Sequence, residues 1–503
     1  MAELEEEKPK KRKRIAGKRE LVAVSFSPED KITIEEPLIK RIGKLADMLG
    51  YKVYLVGGYI RDYYLNKPRK DYDFTVVGDG IEFAKEVALQ FKTKAIIYER
   101  YHTAMTPIDG ITCEFVGTRK EYYEKHTRKP IVTEGKLEDD IRRRDFTINA
   151  MAASINKENF GNLQDPYNGK KDLEYKILRT PLDPFTTFND DPLRMLRAAR
   201  FAAQLGFHLD PNAMNAIRRL KDRIEIISQE RIKEELLLIM ASPVPSTGFK
   251  IMASTGLLEF IFPEVFRLGG VEIVYNNNAE YAHKDVFYHS IKVLDNVAEQ
   301  TGNIWLRVAA LLHDVAKPKV KRFNKETGWT FHGHEELGAR MIEDIFRRMK
   351  FPIEPVAYVE KMVRLHQRPM SLVEDGVTDS AVRRLAFHAG EDLEDLFTLC
   401  KADITTRNPE LQDKFLSNYD NLFKKVLEVQ EKDRLREFQS PVRGDEIMAI
   451  TNLPPSRIIG FLKGNIEEAI LDGDIPNDYD IAKEYFLANK DKWIRQYQEQ
   501  EQA

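Results

Sequence analysis

Apolar positions in the first part of the chain follow two periods, which predict strands and helices in turn. Short β-type runs are expected at 22–27, 51–56, 72–77, 95–99 and 111–116. A helical period covers PLIKRIGKLADMLG between the first two runs, and a Gly-Gly turn and a short helix follow the second. This mixture of helices and strands predicts an α/β domain of about 150 residues.

From Pro192 onward the apolar period becomes helical. PLRMLRAARFAAQLG, PNAMNAIRRLKDRI, SQERIKEELLLIMA and TGFKIMASTGLLEFI follow one another with Pro, Gly or Ser between them. No strand-like alternation interrupts this stretch, and a second helical region carries most of the histidines. The predicted segments are a disordered basic tail (1–21), a mixed domain (22–165), a helical region (166–270), the histidine-rich region (271–435) and a helical tail (436–503).

Composition narrows the class of protein. A chain of 503 residues exceeds one ordinary core, so two to four domains are expected. No run reaches the roughly 18 to 20 apolar residues of a membrane span, and the charged N-terminus lacks the apolar segment of a secretory signal. The two cysteines, Cys113 and Cys400, have no partners at zinc-site spacing. We therefore expect a cytoplasmic protein without a membrane anchor.

The net charge of −3 gives no general sign of a nucleic-acid partner, but residues 8–19 are strongly basic. A charge block of low hydrophobicity is most simply a solvated, disordered tail. The alternative is an arm that binds phosphates without sequence preference.

Paired carboxylates follow the Gly-Gly turn. Asp71 and Asp73 are two residues apart at the start of a predicted strand, so both side chains leave the same face. Two such carboxylates repel unless a cation lies between them, and Mg²⁺ prefers oxygen ligands. Alone, the pair would more simply be a solvated strand start. Gly57 and Gly58, which allow close approach of a phosphate, and Arg61, which could bind it, favour a metal–nucleotide site.

Two basic stretches extend this hypothesis. Residues 142–144 are three arginines, followed by Asp145 and Asn149, and they are either a surface charge run or a clamp for triphosphate and ribose.

In the second stretch Pro192 makes Asp191 a natural helix N-cap, which is a sufficient structural explanation for that aspartate. Arg194, Arg197 and Arg200 then form a cationic stripe. If Asp191 accepted from an exocyclic amine and Arg194 donated to the neighbouring ring nitrogen, the pair would select CTP and ATP together.

Taken together, LVGGYIRD…KDYDFTVVG, RRRDFTINAMA and DDPLRMLRAARFAAQLGF resemble the class II tRNA nucleotidyltransferase and bacterial poly(A) polymerase family. The resemblance implies an α+β fold, with a polymerase-β-like head followed by helical neck, body and tail. It also implies that Mg²⁺ is the cofactor and that tRNA, CTP and ATP are the partners. The implied roles are metal binding by Asp71 and Asp73, nucleotide binding by Gly58, Arg61 and Arg144, and base reading by Asp191, Arg194, Arg197 and Arg200.

The chain departs from the family pattern in one place and leaves one role open. Asp190-Asp191 stands where the family usually has Glu-Asp, a change that keeps the acceptor. The third catalytic carboxylate is not evident from spacing, and Glu114, on the predicted strand ITCEFVG, is our candidate. Addition of CCA, CC or A and poly(A) tailing share these motifs, so the product stays open.

Histidine and aspartate recur through the helical half, where each alone would be a packed or surface residue. Imidazole together with carboxylate suits transition metals. The ordered pattern resembles the HD phosphohydrolase superfamily, which uses a divalent ion to activate water for phosphoester hydrolysis. The resemblance implies a Mn²⁺, Ni²⁺ or Fe²⁺ site in which His289, His313, Asp314 and Asp403 are the minimal ligands and His334 and His366 extend the set. A degenerate domain kept as RNA-binding scaffold is the alternative.

The sequence therefore predicts a metal-dependent enzyme that adds C and/or A to tRNA 3′ ends, with an appended HD domain. A poly(A) polymerase is the alternative within the class. A second class of function is an HD phosphohydrolase whose N-terminal half only binds RNA. A third is a non-enzymatic RNA-binding scaffold.

Overall fold

The computed structural model describes residues 30–69, 71–99, 102–122, 131–270, 273–276, 279–282, 285–374, 378–406, 408–433 and 440–502. The basic tail and the predicted strand at 22–27 lie outside these ranges. The chain divides into two compact units, Met1–Asp183 and Pro184–Ala503.

The first unit contains a seven-stranded sheet with helices. Its helices are α1 (Pro37–Leu49), α2 (Gly58–Tyr64), α3 (Gly80–Gln90), α4 (Leu137–Arg142) and α5 (Gly169–Glu174). Its strands are β1 (Lys52–Val56), β2 (Tyr72–Val77), β3 (Ile96–Tyr98), β4 (Thr103–Ile108), β5 (Ile111–Gly117), β6 (Arg119–Tyr122), β7 (Ile131–Glu134), β8 (Ala152–Ser154), β9 (Leu163–Gln164) and β10 (Ile177–Leu178).

The order of the large sheet is β3-β4-β5-β2-β1-β8-β9. Strands β2 and β5 are parallel, whereas the other described neighbours in this sheet pair antiparallel. In the core, the rings of Phe74 on β2 and Phe115 on β5 stack with centroids 4.9 Å apart. Phe83 of α3 meets Phe115 edge-on at 5.6 Å, so buried aromatic packing holds these two strands together.

The second unit is built mainly of helices. They are α6 (Pro184–Asp190), α7 (Leu193–Leu205), α8 (Pro211–Leu220), α9 (Gln229–Met240), α10 (Pro245–Thr255), α11 (Leu257–Ile261), α12 (Pro263–Phe266), α13 (Val286–Gln300), α14 (Ile304–Leu312), α15 (Lys317–Val320), α16 (His334–Met349), α17 (Val356–Leu365), α18 (Arg368–Glu374), α19 (Asp379–Ala389), α20 (Leu393–Asp403), α21 (Pro409–Asp433), α22 (Gly444–Thr451), α23 (Arg457–Asp472) and α24 (Tyr479–Gln502). Its strands are β11 (His208–Leu209), β12 (Ile273–Asn276), β13 (Ala279–Ala282), β14 (Arg322–Asn324) and β15 (Gly328–Thr330).

A buried arginine joins the helices of the second unit. The Arg307 guanidinium on α14 donates to the carbonyls of Met240 and Ser242 at the end of α9, at 2.8 and 3.2 Å. It also donates to the carbonyls of Ala298 and Thr301 at the end of α13. These helix-terminal carbonyls have no intrahelical donors, so one cation satisfies two helix ends at once.

The predicted α+β fold is confirmed, and β1, β2, β3 and β5 match the predicted strands. The pattern does not predict β4, because Pro107 near its end cannot donate to a ladder. The predicted helix TGFKIMASTGLLEFI is two helices, α10 and α11, since Gly256 between them adopts φ +74°. In the second unit the five short strands depart from the predicted absence of strands, and β12–β13 and β14–β15 pair antiparallel.

Candidate functional site

Asp73 and Glu114 lie side by side in the sheet of the first unit. They are register partners on the parallel strands β2 and β5, so their side chains share one face about 4.8 Å apart at the backbone. Asp71 directly precedes β2 and is exposed. Because Asp71 and Asp73 are two residues apart, their side chains are expected on the same face of the sheet. The register therefore places the two predicted metal ligands beside Glu114, the predicted third carboxylate.

The surroundings of these carboxylates favour a cation. Burial raises the pKa of Asp73, and the Asp71 carboxylate adds to this shift while Arg144 and Arg61 oppose it. Burial and the neighbouring Asp73 likewise raise the pKa of Glu114. The nearby arginines compensate the charge of these carboxylates only in part, since both pKa values stay raised, and a divalent cation that prefers oxygen ligands would add positive charge. The donor set therefore fits Mg²⁺.

Gly57 brings the backbone close to this group. Its φ of +65° favours glycine, and a Cβ there would lie 2.9 Å from Arg144 Nη1 and 3.8 Å from Asp73 Oδ2. A side chain at position 57 would therefore enter the space beside the carboxylate. Gly58 begins α2, whose Arg61 guanidinium faces the same turn, with Nη2 3.6 Å from the Cβ that Gly58 lacks.

Asp62 and Asn149 hold the Arg61 side chain in place. Its Nε and Nη2 donate to both carboxylate oxygens of Asp62, at 2.8 and 2.9 Å. Its Nη1 donates to Asn149 Oδ1 at 3.0 Å, and Asn149 Nδ2 in turn donates to Asp145 Oδ1 at 3.1 Å. Asp145 also accepts from the backbone N–H of Phe146. The carboxylate of Asp145 thus orients Asn149, which orients Arg61.

Arg144 is positioned by a buried aspartate that the sequence analysis missed. Asp140 is fully buried on α4 and accepts from Arg144 Nη2 at 3.1 Å, from the Arg143 guanidinium and from Thr75 Oγ1. Burial acts to raise the pKa of Asp140, but the two arginines outweigh it and hold this pKa well below its usual range. The four-residue spacing of Asp140 and Arg144 is a sequence signal that could have suggested this pair, although α4 ends at Arg142 and Arg144 lies just beyond it.

In the second unit, the N-terminal end of α7 differs by one residue from the prediction. Pro192 occupies the N-cap, and the Asp191 carboxylate still accepts from the Leu193 N–H at 3.1 Å. Arg194 Nη1 donates to the Thr187 carbonyl at 3.3 Å. Asp191 and Arg194 therefore lie one turn apart at the beginning of α7, beside the end of α6.

Arg197 and Arg200 have an acidic partner on α9. Arg200 Nε lies 2.9 Å from Glu235 Oε2, and Arg197 Nη1 lies 3.6 Å from Glu235 Oε1. Glu235 is buried, and both guanidiniums also lie over the Phe201 ring. This ion-pair arrangement gives the two arginines a structural task that sequence spacing does not reveal.

Six residues form a histidine–aspartate cluster in the second unit. They come from α13, the end of α14, the start of α16, the end of α17 and the end of α20: His289, His313, Asp314, His334, His366 and Asp403. His289 Nε2 lies 2.8 Å from Asp403 Oδ1, and His313 Nε2 lies 3.2 Å from Asp314 Oδ2. Asp314 Oδ1 lies 3.3 Å from His334 Nε2 and 3.8 Å from His366 Nε2. The structure brings together every residue predicted for this site.

Hydrogen bonds to the far side of each ring aim the histidines inward. The Nδ1 atoms of His313, His334 and His366 lie 2.8, 2.8 and 2.6 Å from the carbonyls of Ala310, Phe331 and Val363. An Nδ1–H that donates to a carbonyl leaves the Nε2 lone pair for a metal. Burial lowers the pKa of His366 to about 4, which also favours the neutral ligand form.

The cluster fits a transition metal. The donor atoms of His289, His313 and Asp403 lie within 4.8 Å of one another, as do those of His313, Asp314 and His366. Asp314 Oδ1 and His366 Nε2 are buried without a hydrogen-bond partner among the described residues. Mixed imidazole and carboxylate donors suit Mn²⁺, Fe²⁺ or Ni²⁺.

Three protein-family models match the chain. The Poly A polymerase head domain matches residues 53–179, the probable RNA and SrmB-binding site of polymerase A matches residues 206–268, and the HD domain matches residues 286–407. The class is therefore a nucleotidyltransferase with a poly(A) polymerase-type head and an HD domain, and both domain types belong to metal-dependent families.

Curated relatives give the family. An A-adding tRNA nucleotidyltransferase of Deinococcus radiodurans is 31% identical over 348 residues, which are 67% of this chain and 76% of that protein. The chain belongs to this family of tRNA nucleotidyltransferases. A second A-adding tRNA nucleotidyltransferase, of Geobacter sulfurreducens, is 35% identical over 231 residues, which are 45% of this chain and 26% of that protein.

Solved structures share the fold. A Thermotoga maritima CCA-adding enzyme complexed with tRNA has a TM-score of 0.56 at 20% identity, covering 90% of this chain and 96% of that chain. A tRNA nucleotidyltransferase complexed with a primer tRNA and an incoming ATP analog has a TM-score of 0.54 at 24% identity, covering 77% of this chain and 99% of that chain. Among the residues that the structure describes, no helix combines the length and apolarity needed to cross a membrane.

Proposed function

We propose that this protein adds nucleotides to the 3′ end of tRNA without a template, and that its product is a single terminal A. The observation that carries the transfer chemistry is the register pairing of Asp73 with Glu114 beside Gly57, Arg61 and Arg144. Addition of A is favoured because both curated relatives described above are A-adding enzymes. Addition of C, C and A is the alternative, and so is poly(A) tailing.

In this proposal Asp71 and Asp73 would hold Mg²⁺, which would supply positive charge for the phosphates and favour ionisation of the attacking hydroxyl. The guanidiniums of Arg61 and Arg144 bind the triphosphate beside the backbone of Gly57. The 3′-hydroxyl oxygen of tRNA bonds to the α-phosphorus of ATP, and the bond to the β-phosphate oxygen breaks, so pyrophosphate leaves. Glu114, whose pKa is raised by burial, accepts the hydroxyl proton.

Base selection in this proposal belongs to the beginning of α7. Asp191 accepts from the exocyclic amine of the incoming base, and Arg194 donates to the adjacent ring nitrogen. Adenine and cytosine share this pair of groups. Because Arg197 and Arg200 are ion-paired with Glu235, we assign them to holding α7 against α9.

The test uses three tRNAs, ending before CCA, after C and after CC, each incubated with one labelled nucleoside triphosphate. A-addition predicts incorporation of one A on the CC-ending tRNA and none of C on any substrate. Incorporation of C, C and then A would select the CCA-adding alternative, and a long A tail would select poly(A) polymerase. Absence of Mg²⁺-dependent incorporation with every substrate would contradict the proposed transfer and leave the other two classes, an HD phosphohydrolase with an RNA-binding N-terminal half or an RNA-binding scaffold.

A second activity, metal-dependent phosphoester hydrolysis, is favoured by the complete histidine–aspartate cluster. Mn²⁺, Ni²⁺ or Fe²⁺ bound there would activate water. The water oxygen bonds to phosphorus, the ester P–O bond breaks, and a proton passes to the leaving alkoxide. His313→Ala should abolish hydrolysis of phosphate esters with nucleotide incorporation retained, while Asp73→Ala should do the reverse. Loss of both activities in either single variant would contradict two independent sites.

We also propose the five predicted segments, which the family resemblance supports. We propose a cytoplasmic location as well, which the low cysteine content supports. Fluorescence imaging of the tagged protein in its own cell would check the location.

A further inference from the structure

A pocket of about 400 Å³ opens beside the histidine–aspartate cluster. One side of it is polar, with His289, Asp314 and Asp403 of the cluster. Another part of its lining is aromatic, with Phe415 and Tyr419 of α21. This volume lies at the small end of the range of about 300–1,000 Å³ for small-molecule sites, so the pocket suits a molecule of mononucleotide size.

The aromatic part of the lining is fixed in the fold. Tyr419 is buried, and its ring packs edge-on against Phe397 of α20 with centroids 6.4 Å apart. Lys401 Nζ on α20 lies 2.6 Å from Asp420 Oδ1 on α21, one residue beyond Tyr419. Helix α21 lies beyond residue 407, where the match to the HD domain ends.

A cation also lines the pocket, beside the histidine–aspartate cluster. Lys317 Nζ is 2.6 Å from Asp314 Oδ2 and 5.6 Å from the centroid of the Phe331 ring. Both Lys317 and Phe331 line the pocket. An anionic group at the cluster would therefore have an ammonium beside it, while its substituent would extend toward aromatic side chains.

We propose that Phe415 and Tyr419 form a platform for the aromatic ring of a phosphate ester, and that this ring is the base of a nucleoside monophosphate. The inference rests on the proposed phosphoester hydrolysis for its chemistry and adds the residues that select the ester's aromatic substituent. The phosphate lies at the cluster beside Lys317, and the ring packs on α21, where an aromatic ring contributes affinity through buried area and stacking. Phe415 and Tyr419 are thus specificity-determining residues.

The first test measures binding without turnover. Dissociation constants of phenylphosphonate and methylphosphonate, measured by calorimetry on the Mn²⁺-loaded protein, isolate the contribution of the ring. The wild type should prefer phenylphosphonate about tenfold, and Phe415→Ala should bring the ratio near one. Leu411→Ala, an exposed position on the same helix, should leave it unchanged. An equal affinity for both phosphonates in the wild type would overturn the platform.

A second variant keeps the test decisive. Met370→Ala changes an exposed residue that also lines the pocket, so it replaces Phe415→Ala if that variant has lost its helical circular dichroism. It should lower the preference for phenylphosphonate at least twofold, and an unchanged preference would count against the aromatic site.

The second test distinguishes a nucleobase from other aromatic groups. In an Asp73→Ala background, kcat/KM for 5′-AMP should exceed that for ribose 5-phosphate about tenfold, and Phe415→Ala should remove the difference. Equal values with the phenylphosphonate preference retained would overturn the assignment to a nucleobase. No hydrolysis of either ester, with that preference retained, would contradict the proposed hydrolysis while supporting the platform.

Discussion

Asp73 on β2 and Glu114 on β5 face each other across a parallel pair of strands, 41 residues apart in the chain. If Glu114 accepts the proton of the attacking hydroxyl, Glu114→Gln should lower kcat for nucleotide incorporation about 100-fold or more and change the KM for ATP little. Single-turnover incorporation on CC-ending tRNA measures this. Glu82→Gln, an exposed change on α3, is the control, and a wild-type kcat in Glu114→Gln would contradict the role.

The ion pairs of Asp140 should stabilise the first unit. Asp140→Asn leaves two arginines beside a neutral side chain, and we expect a loss of about 3 kcal/mol in the free energy of unfolding at pH 7. Urea denaturation measures this. Asp109→Asn is the control, because Asp109 is exposed at φ +52°, where asparagine is tolerated.

The effect of Asp140→Asn on the free energy of unfolding should also depend on pH. Because the folded-state pKa of Asp140 lies well below its ordinary value, its contribution is present above about pH 4 and is lost as the pH falls further. The difference in unfolding free energy between wild type and Asp140→Asn should therefore shrink below that pH. A difference that grew on acidification would contradict the ion-pair account.

Neighbouring histidines offer a matched pair of variants. His334 is buried in the cluster, whereas His332 is exposed. His334→Ala should lower phosphate-ester hydrolysis about 100-fold and reduce bound Mn²⁺, because it removes an imidazole whose Nε2 points into the cluster. His332→Ala should change neither quantity, and both variants should keep nucleotide incorporation. Equal metal content in all three proteins, measured by plasma mass spectrometry, would remove His334 from the ligand set.

Two arginines of α7 should behave differently. Arg194→Ala should raise misincorporation of UTP and GTP relative to ATP, because it removes the proposed donor to the ring nitrogen. Arg200→Ala should instead lower thermal stability with little change in nucleotide preference, since it leaves Glu235 buried without its nearest cation. Altered nucleotide preference in Arg200→Ala alone would reverse these assignments.

Local pattern was sufficient for much of the fold. The strand that begins at Tyr72 and the helix over Pro37–Leu49 are predicted because their apolar residues repeat at one clear period. The apolar pattern did not predict the break between α10 and α11, because that break depends on the backbone angle of Gly256. It also did not predict the short strands that pair only with one another.

The candidate ligand residues could be predicted from the sequence, but the residues that hold the site side chains in place could not. Histidine and aspartate are recognisable by type and order, so the six cluster residues could be named in advance. The pairing of Arg200 with Glu235 depends on the packing of α7 against α9, which no spacing reports. The pairing of Arg144 with Asp140 depends on the backbone just beyond the end of α4 and on the burial of Asp140. The α21 platform also escaped the sequence analysis, because Phe415 and Tyr419 read as ordinary apolar positions of an amphipathic helix.

Arg307 has a consequence for how the second unit folds. Its guanidinium binds the ends of α9 and α13 together, so unfolding either helix would leave the buried cation without half of its acceptors. We therefore expect that the limits of the matched domains, at residues 268 and 286, do not mark a folding boundary. A fragment that starts at α13 would lack half of the acceptors of Arg307, and the helices on both sides should melt in a single cooperative transition.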